Sequence, residues 1–181
     1  MMKRGINLTL SIAVLAFTAC SSGTNKESAD HSANADSAHT EKPAPVIPAQ
    51  FEDPKTAAVY ESYVQLTNAF VKTNGAEAQT AAAALQTALS DAGNSKGADL
   101  AGKIASVTDV KAQRAELENL TAEVESVVKS SKLKSGVIYK QYCPMANNND
   151  GGYWLSSQSD IKNPYFGDEM LECGSTKEEI K

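Results

Sequence analysis

The sequence predicts an all-α fold: an antiparallel bundle of about four helices, followed by a C-terminal Cys/Met segment that is irregular or a small β-hairpin. Three observations predict it. Apolar residues between positions 53 and 135 recur at spacings of three and four, one stripe per helix. Short breaks rich in Gly, Asn and Asp separate those stripes, as loops between antiparallel neighbours do. After Gly136 the pattern changes to β-branched and aromatic residues, then to turn residues between Cys143 and Cys173.

The chain begins with Lys3 and Arg4, an apolar run over residues 6–17, and Thr18-Ala19-Cys20. A charged start, a short apolar core and small residues before a Cys resemble a bacterial lipoprotein signal over residues 1–19. The Cys20 thiol would then carry a diacylglycerol and become the mature N-terminus. The apolar run is shorter than the roughly 20 residues of a spanning helix. Residues 20–50 are rich in Ser, Ala, Asn and Asp and end with Pro43, Pro45 and Pro48, a disordered tether with a stiffer spacer. His31 and His39 lie in it as solvated side chains. Removing residues 1–19 takes away two cations and no acid, so 15 Lys and Arg face 22 Asp and Glu, a net charge of −7. No basic patch suggests nucleic acid. The expected location is the bacterial cell envelope, lipid-anchored to a membrane and facing the periplasm or exterior.

Residues 51–136 read as the bundle. Asp53-Pro54 is an N-cap followed by proline at the first helical position. Val59, Tyr63, Leu66 and Phe70 mark the first stripe, which Asn74-Gly75 ends. Ala78, Ala81, Ala82, Leu85 and Leu89 mark a second helix over about 76–92. Gly93 and Gly97 break the chain before a third at about 98–106, with Leu100 and Ile104 inward. Asp109 starts the longest helix, with Val110, Leu117, Leu120, Val124 and Val127 inward, and Ser135-Gly136 stops it. Arg114 and Glu118, four residues apart, read as a surface ion pair. The many inward alanines predict close helix approach and a thin core.

Residues 137–181 carry the chemistry. "VIYKQYC" reads as a strand, residues 147–152 as a turn, and Tyr153-Trp154-Leu155 as the returning strand of a hairpin. Three devices would pin this segment. One is a disulfide between Cys143 and Cys173. Another is anchoring of Tyr153, Trp154, Tyr165 and Phe166 on the bundle. The third is soft-metal ligation, because Cys143-Pro144-Met145 and Met170…Cys173 each offer one thiolate and one thioether, donors that suit Cu(I) or Ag(I). Pro144 would hold the first pair extended. No His or second C-x-x-C completes a zinc-type set.

"YCPMANNNDGGYWLS" and "IKNPYFGDEMLECG" resemble the signature of a bacterial domain-of-unknown-function family, number three-three-four-seven, and "QRAELENLTAEV" is similar to its last helix. That family occurs in small secreted or lipid-anchored proteins and at the ends of periplasmic adaptor subunits of copper/silver efflux pumps. The resemblance implies a helical bundle with a C-terminal Cys/Met segment, a link to heavy-metal handling, and no reaction. It implies Cys143, Met145, Met170 and Cys173 as metal ligands. It implies Trp154, Asn163, Pro164, Tyr165 and Gly167 as shaping residues, with Trp154 also able to shield a Cu(I) site from water.

Two classes of function follow. One is a tethered Cu(I)/Ag(I)-binding or efflux-accessory protein, with a metal-efflux adaptor as partner. The other is a disulfide-stapled interaction domain without metal. An enzyme is not expected: no nucleophile–base pair and no phosphate loop is present, and Asp160, Asp168, Glu169 and Glu172 read as isolated surface acids.

Overall fold

A computed structural model of the chain describes residues 48–181. The expectations for the signal, Cys20, His31, His39 and nearly all of the tether fall outside those residues. In chain order the elements are β1 (Gln50–Phe51), α1 (Pro54–Val71), α2 (Gly75–Asp91), α3 (Ser95–Ala105), α4 (Val110–Arg114), α5 (Leu117–Ser130), β2 (Leu133–Ser135), β3 (Ile138–Cys143), β4 (Gly152–Ser156) and β5 (Ser175–Ile180). A single turn at Ala146–Asn149 and a 3-10 turn at Gly167–Glu169 lie between the last strands. The fold is therefore helical in its first part but not plainly all-α, because five strands form two small sheets.

The first four helices each start where a short polar side chain takes up orphan backbone donors, whereas α5 has no side-chain cap. Asp53 accepts from the Lys55 and Thr56 amides and from the Thr56 hydroxyl, with Pro54 already preset for the first turn. Asn74 accepts from the Glu77 amide, Asn94 from Gly97 and Asp109 from Ala112. One of these boundaries differs from the sequence reading: α3 begins at Ser95, so Gly97 is interior. Asn74 both closes α1, its amide donating to the Ala69 carbonyl at 2.9 Å, and caps α2. A Cβ at Gly97 would stand 3.2 Å from Leu89 Cδ1 and Glu123 Cβ. The absence of a side chain there lets α3 lie close to α2 and α5.

The expected long helix from Asp109 is two helices, α4 and α5, parted at Ala115–Glu116. Gln113, buried just before the break, donates through Nε2 to the carbonyls of Val107 at 2.6 Å and Gly75 at 3.1 Å. It thereby ties the end of α3 to the start of α2. In α5 Val128, not Val127, is the fully buried residue of the last turn.

α1 packs on α2, α2 on α3, α3 on α5, and α5 on α1, closing a ring around one core. Val59, Tyr63, Leu66, Phe70, Leu85, Leu89, Leu117, Leu120 and Val124 are all fully buried in it, as their periodicity predicts. β1 and β2 pair antiparallel, joining the start of the helical part to its end. The second sheet has the order β4-β3-β5, antiparallel throughout. β3 and β4 match the predicted hairpin, whereas β5 was not foreseen. Trp154, Leu155 and Ile138 from this sheet enter the same core as the helices. Among the described residues, no helix is long and apolar enough to cross a membrane.

Candidate functional site

The helices hold the C-terminal segment by three polar clasps. Tyr63 on α1 is completely buried; its hydroxyl lies 2.8 Å from Thr121 Oγ1 on α5 and accepts from the Leu155 amide on β4 at 3.2 Å. Burial pushes the Tyr63 phenol up, so it stays neutral. Arg114 donates through Nε to the Pro164 carbonyl at 2.8 Å, and through Nη2 to the Phe70 carbonyl at 2.6 Å and Thr73 Oγ1 at 3.1 Å. Glu118 accepts from the Tyr153 amide at 2.6 Å and lies 2.9 Å from the Tyr165 hydroxyl. That hydroxyl also reaches the Tyr153 carbonyl at 2.8 Å, so its one proton is shared. Arg114 and Glu118 are thus not a surface ion pair. They face the C-terminal segment from the two sides of the α4–α5 break, and sequence reasoning missed them because their partners lie 35–50 residues away.

Within the segment Asn163 is the node. It is fully buried. Its Oδ1 accepts from the Tyr165 amide at 2.8 Å, an Asx turn, and its Nδ2 donates to the Cys173 carbonyl at 2.9 Å. Its backbone N–H donates to the Leu171 carbonyl and its carbonyl accepts from Gly167. All four polar groups therefore close the 163–173 loop on itself. Pro164 is buried and offers its carbonyl to Arg114. Gly167 sits at φ +58°, in the left-handed region, with Thr73 Oγ1 only 2.5 Å from where a Cβ would be. Trp154 is 2% exposed and meets Tyr165 edge-on, ring centroids 6.2 Å apart. Its ring also stands against Gly174, where a Cβ would come within 2.8 Å of Trp154 Cη2.

This framework brings Cys143 and Cys173 together. Cys143 ends β3, and the β3–β5 register pairs Tyr142 with Ser175, which returns the chain to the same end of the sheet. The two Sγ atoms lie 2.6 Å apart across 30 residues. Cys143 is fully buried, while Cys173 is half-buried. Cys143 beside it pushes the Cys173 thiol up, and burial adds to this; the Met145 backbone N–H, donating to the Cys173 sulfur, acts the other way.

The methionines stand differently. Met145 follows the exposed Pro144, and its side chain is 47% exposed. It lines an open cleft of about 540 Å³ with Lys111, Arg114, Asn148, Phe166 and Glu169, a cleft that neither cysteine lines. Met170 is half-buried at the end of the 3-10 turn, and its carbonyl accepts from the Cys173 amide at 3.1 Å. The turn between Met145 and β4 carries three left-handed asparagines in succession, Asn147, Asn148 and Asn149. Asparagine tolerates that conformation better than other non-glycine residues.

Two thiols fit Cu(I) or Ag(I) in chemistry. Their present separation is that of direct sulfur contact. Two sulfurs bound to one ion at about 2.3 Å each stand roughly 3.7–4.6 Å apart for tetrahedral to linear arrangements. Metal uptake therefore requires the pair to open by about 1–2 Å. Among the described residues no three His, Cys, Asp or Glu side chains gather into a metal set, so the sulfurs carry any such site.

Residues 59–136 match the family described as "Protein of unknown function (DUF3347)". That is 78 of the chain's 181 residues, and over them the chain is similar to the DUF3347 family. The DUF3347 match covers α1 from its sixth residue through β2 and ends at Gly136, before β3 and the first of the paired cysteines. It takes in Arg114 and Glu118, the side chains that grip the Cys/Met segment, but not that segment itself. No curated protein matches the chain, and no solved structure does.

Proposed function

We propose that the chain is a lipid-anchored, extracytoplasmic binding protein for Cu(I) or Ag(I) that serves heavy-metal efflux, with an efflux adaptor as its partner. A non-catalytic scaffold, read as an antiparallel bundle, would present the site. The observation that supports this reading is the meeting of Cys143 and Cys173 at one end of the β4-β3-β5 sheet, held by side chains that otherwise serve only to shape the loop. As thiolates the pair supplies the charge that a soft monovalent ion needs. Met145 and Met170 supply neutral soft donors at either end of the motif, and Trp154 keeps water from its inner side. Cys20 anchors the domain through its lipid.

The test is a titration of reduced protein with Cu(I) against a competing chelator. Cys143→Ser or Cys173→Ser nearly abolishes competition, whereas Met145→Leu or Met170→Leu only weakens it. Equal affinity in all four variants and the parent would defeat the proposal.

The sulfur separation favours a second reading, a disulfide-stapled interaction domain. Closing a 30-residue loop stabilises a fold by about 3–4 kcal/mol in the chain-entropy model. Under that reading protein isolated without reductant has no free thiol at 143 or 173, and both methionine variants are silent toward Cu(I).

A further inference from the structure

We infer that Cys173 is the exchange-active sulfur of the pair, and that a thiol–disulfide exchange at this atom by a dithiol reductant must precede loading of the metal. The second half rests on the metal-binding reading; the first stands on geometry alone. Two thiols in direct contact, 2.6 Å apart, close to a disulfide whenever a disulfide oxidant is present. In that step the Sγ–Sγ bond forms, both thiol protons leave, and two electrons pass to the oxidant, which becomes two thiols. The closed pair has no thiolate to offer a soft cation. A compartment that keeps disulfides therefore has to supply a reducing reaction before the site can fill.

The route of that reaction follows from exposure. A thiolate attacks a disulfide sulfur along the S–S axis, from the side opposite the leaving sulfur. Cys143 is fully buried at the end of β3, between β4 and β5, so attack on its sulfur is closed off. Cys173 is half-buried in the connection between the 3-10 turn and β5, outside the regular ladder. Attack there breaks the Sγ–Sγ bond and forms a mixed disulfide on Cys173. Cys143 leaves as a thiolate into the protein interior and takes a proton. A second thiol on the reductant then attacks its own sulfur in the mixed disulfide and frees Cys173. The protein gains two electrons and two protons, and the reductant leaves as a disulfide.

The experiment uses the full chain. It is closed with glutathione disulfide, exposed briefly to reduced glutathione, quenched with N-ethylmaleimide, digested and mapped by mass spectrometry. Peptide mapping separates both sites from Cys20. The expected result is glutathione on Cys173 and maleimide on Cys143, at least about tenfold over the reverse pattern, because access governs exchange. Equal labelling, labelling mainly on Cys143, or failure of the pair to close in glutathione disulfide would overturn the assignment. In parallel, closed and reduced proteins compete with a chelator for Cu(I). Uptake by the reduced form alone supports the order of events, and equal uptake by both forms overturns it. Glutathione on Cys173 with no uptake by either form leaves the exchange assignment standing and removes the metal-binding reading.

Discussion

Replacing Arg114 separates two physical pictures of the same residue. As an exposed partner of Glu118 at i+4, it would contribute about 0.3–0.5 kcal/mol. In the structure its guanidinium makes three bonds: to the Pro164 carbonyl at 2.8 Å, the Phe70 carbonyl at 2.6 Å and Thr73 Oγ1 at 3.1 Å. Hydrogen bonds to a charged group are worth about 1.5–3 kcal/mol each when well shielded. Arg114 is only half-buried, so the freed carbonyls regain water and the total is discounted. Arg114→Ala is therefore expected to destabilise the domain by about 2–3 kcal/mol, which at this size lowers the melting temperature by roughly 10 °C. Arg114→Lys should recover little, because a single ammonium cannot span two carbonyls as the planar fork does. The assay is urea and thermal unfolding followed by fluorescence of Trp154, the chain's single tryptophan, which sits in the segment that Arg114 grips. Glu118→Ala serves as the companion variant. An ion pair predicts small losses for both and strong coupling between them. Separate clasps predict large losses that add, since Arg114 holds Pro164 and Glu118 holds Tyr153 and Tyr165. A shift under about 2 °C for Arg114→Ala would refute the reasoning.

Two further outcomes follow from the same framework. Gly167→Ala forces a side chain into the left-handed region and against Thr73 and Arg114, so a loss of about 2 kcal/mol or more is expected in the urea midpoint; an unchanged midpoint would mean that the loop relaxes freely. For Glu125, burial works against its charge, but Lys129 and Lys140 outweigh it and hold its carboxyl below the ordinary glutamate value. A depressed folded pKa gives stability that is complete above the unfolded pKa, near 4.5, and that fades as pH falls below it. Glu125→Gln should flatten stability against pH below about 4.5, and an identical slope in the variant would sink the idea.

The nine buried stripe residues were legible because helix periodicity is a local signal and each stripe faces one shared core. The hairpin β3–β4 was legible for the same reason at period two. Gly97 was misread because its low helix propensity is overridden by packing: its amide is capped by Asn94 and its bare Cα fits against Leu89 and Glu123. β5, "STKEEI", is exposed except at its last residue, so no alternation marks it, and it is a strand only because β3 offers a ladder edge. Ala115–Glu116 carries no Gly or Pro, so the break between α4 and α5 leaves no mark in the sequence. On the candidate site, the cysteines and Asn163, Pro164 and Gly167 stood out as sulfur donors and turn formers. The clasps from Tyr63, Arg114 and Glu118 did not, because an arginine–glutamate spacing of four fits both an ordinary helix surface and a pair of unrelated grips.

The clasps also impose an order of assembly. Within the helical part most bonds are made by near neighbours. The grips on the C-terminal segment span 50 residues from Arg114 to Pro164, 35 from Glu118 to Tyr153, and 92 from Tyr63 to Leu155. Such distant closures cost chain entropy that is recovered only once the receiving surface exists. The helices must therefore be in place before the loop around Asn163 can settle. The two thiols then meet late, after an interval in which each is open to any oxidant, partner thiol or soft ion in its surroundings. The chain passes through that interval every time it folds, and the chemistry reaching the thiols then decides in which form the finished protein first appears.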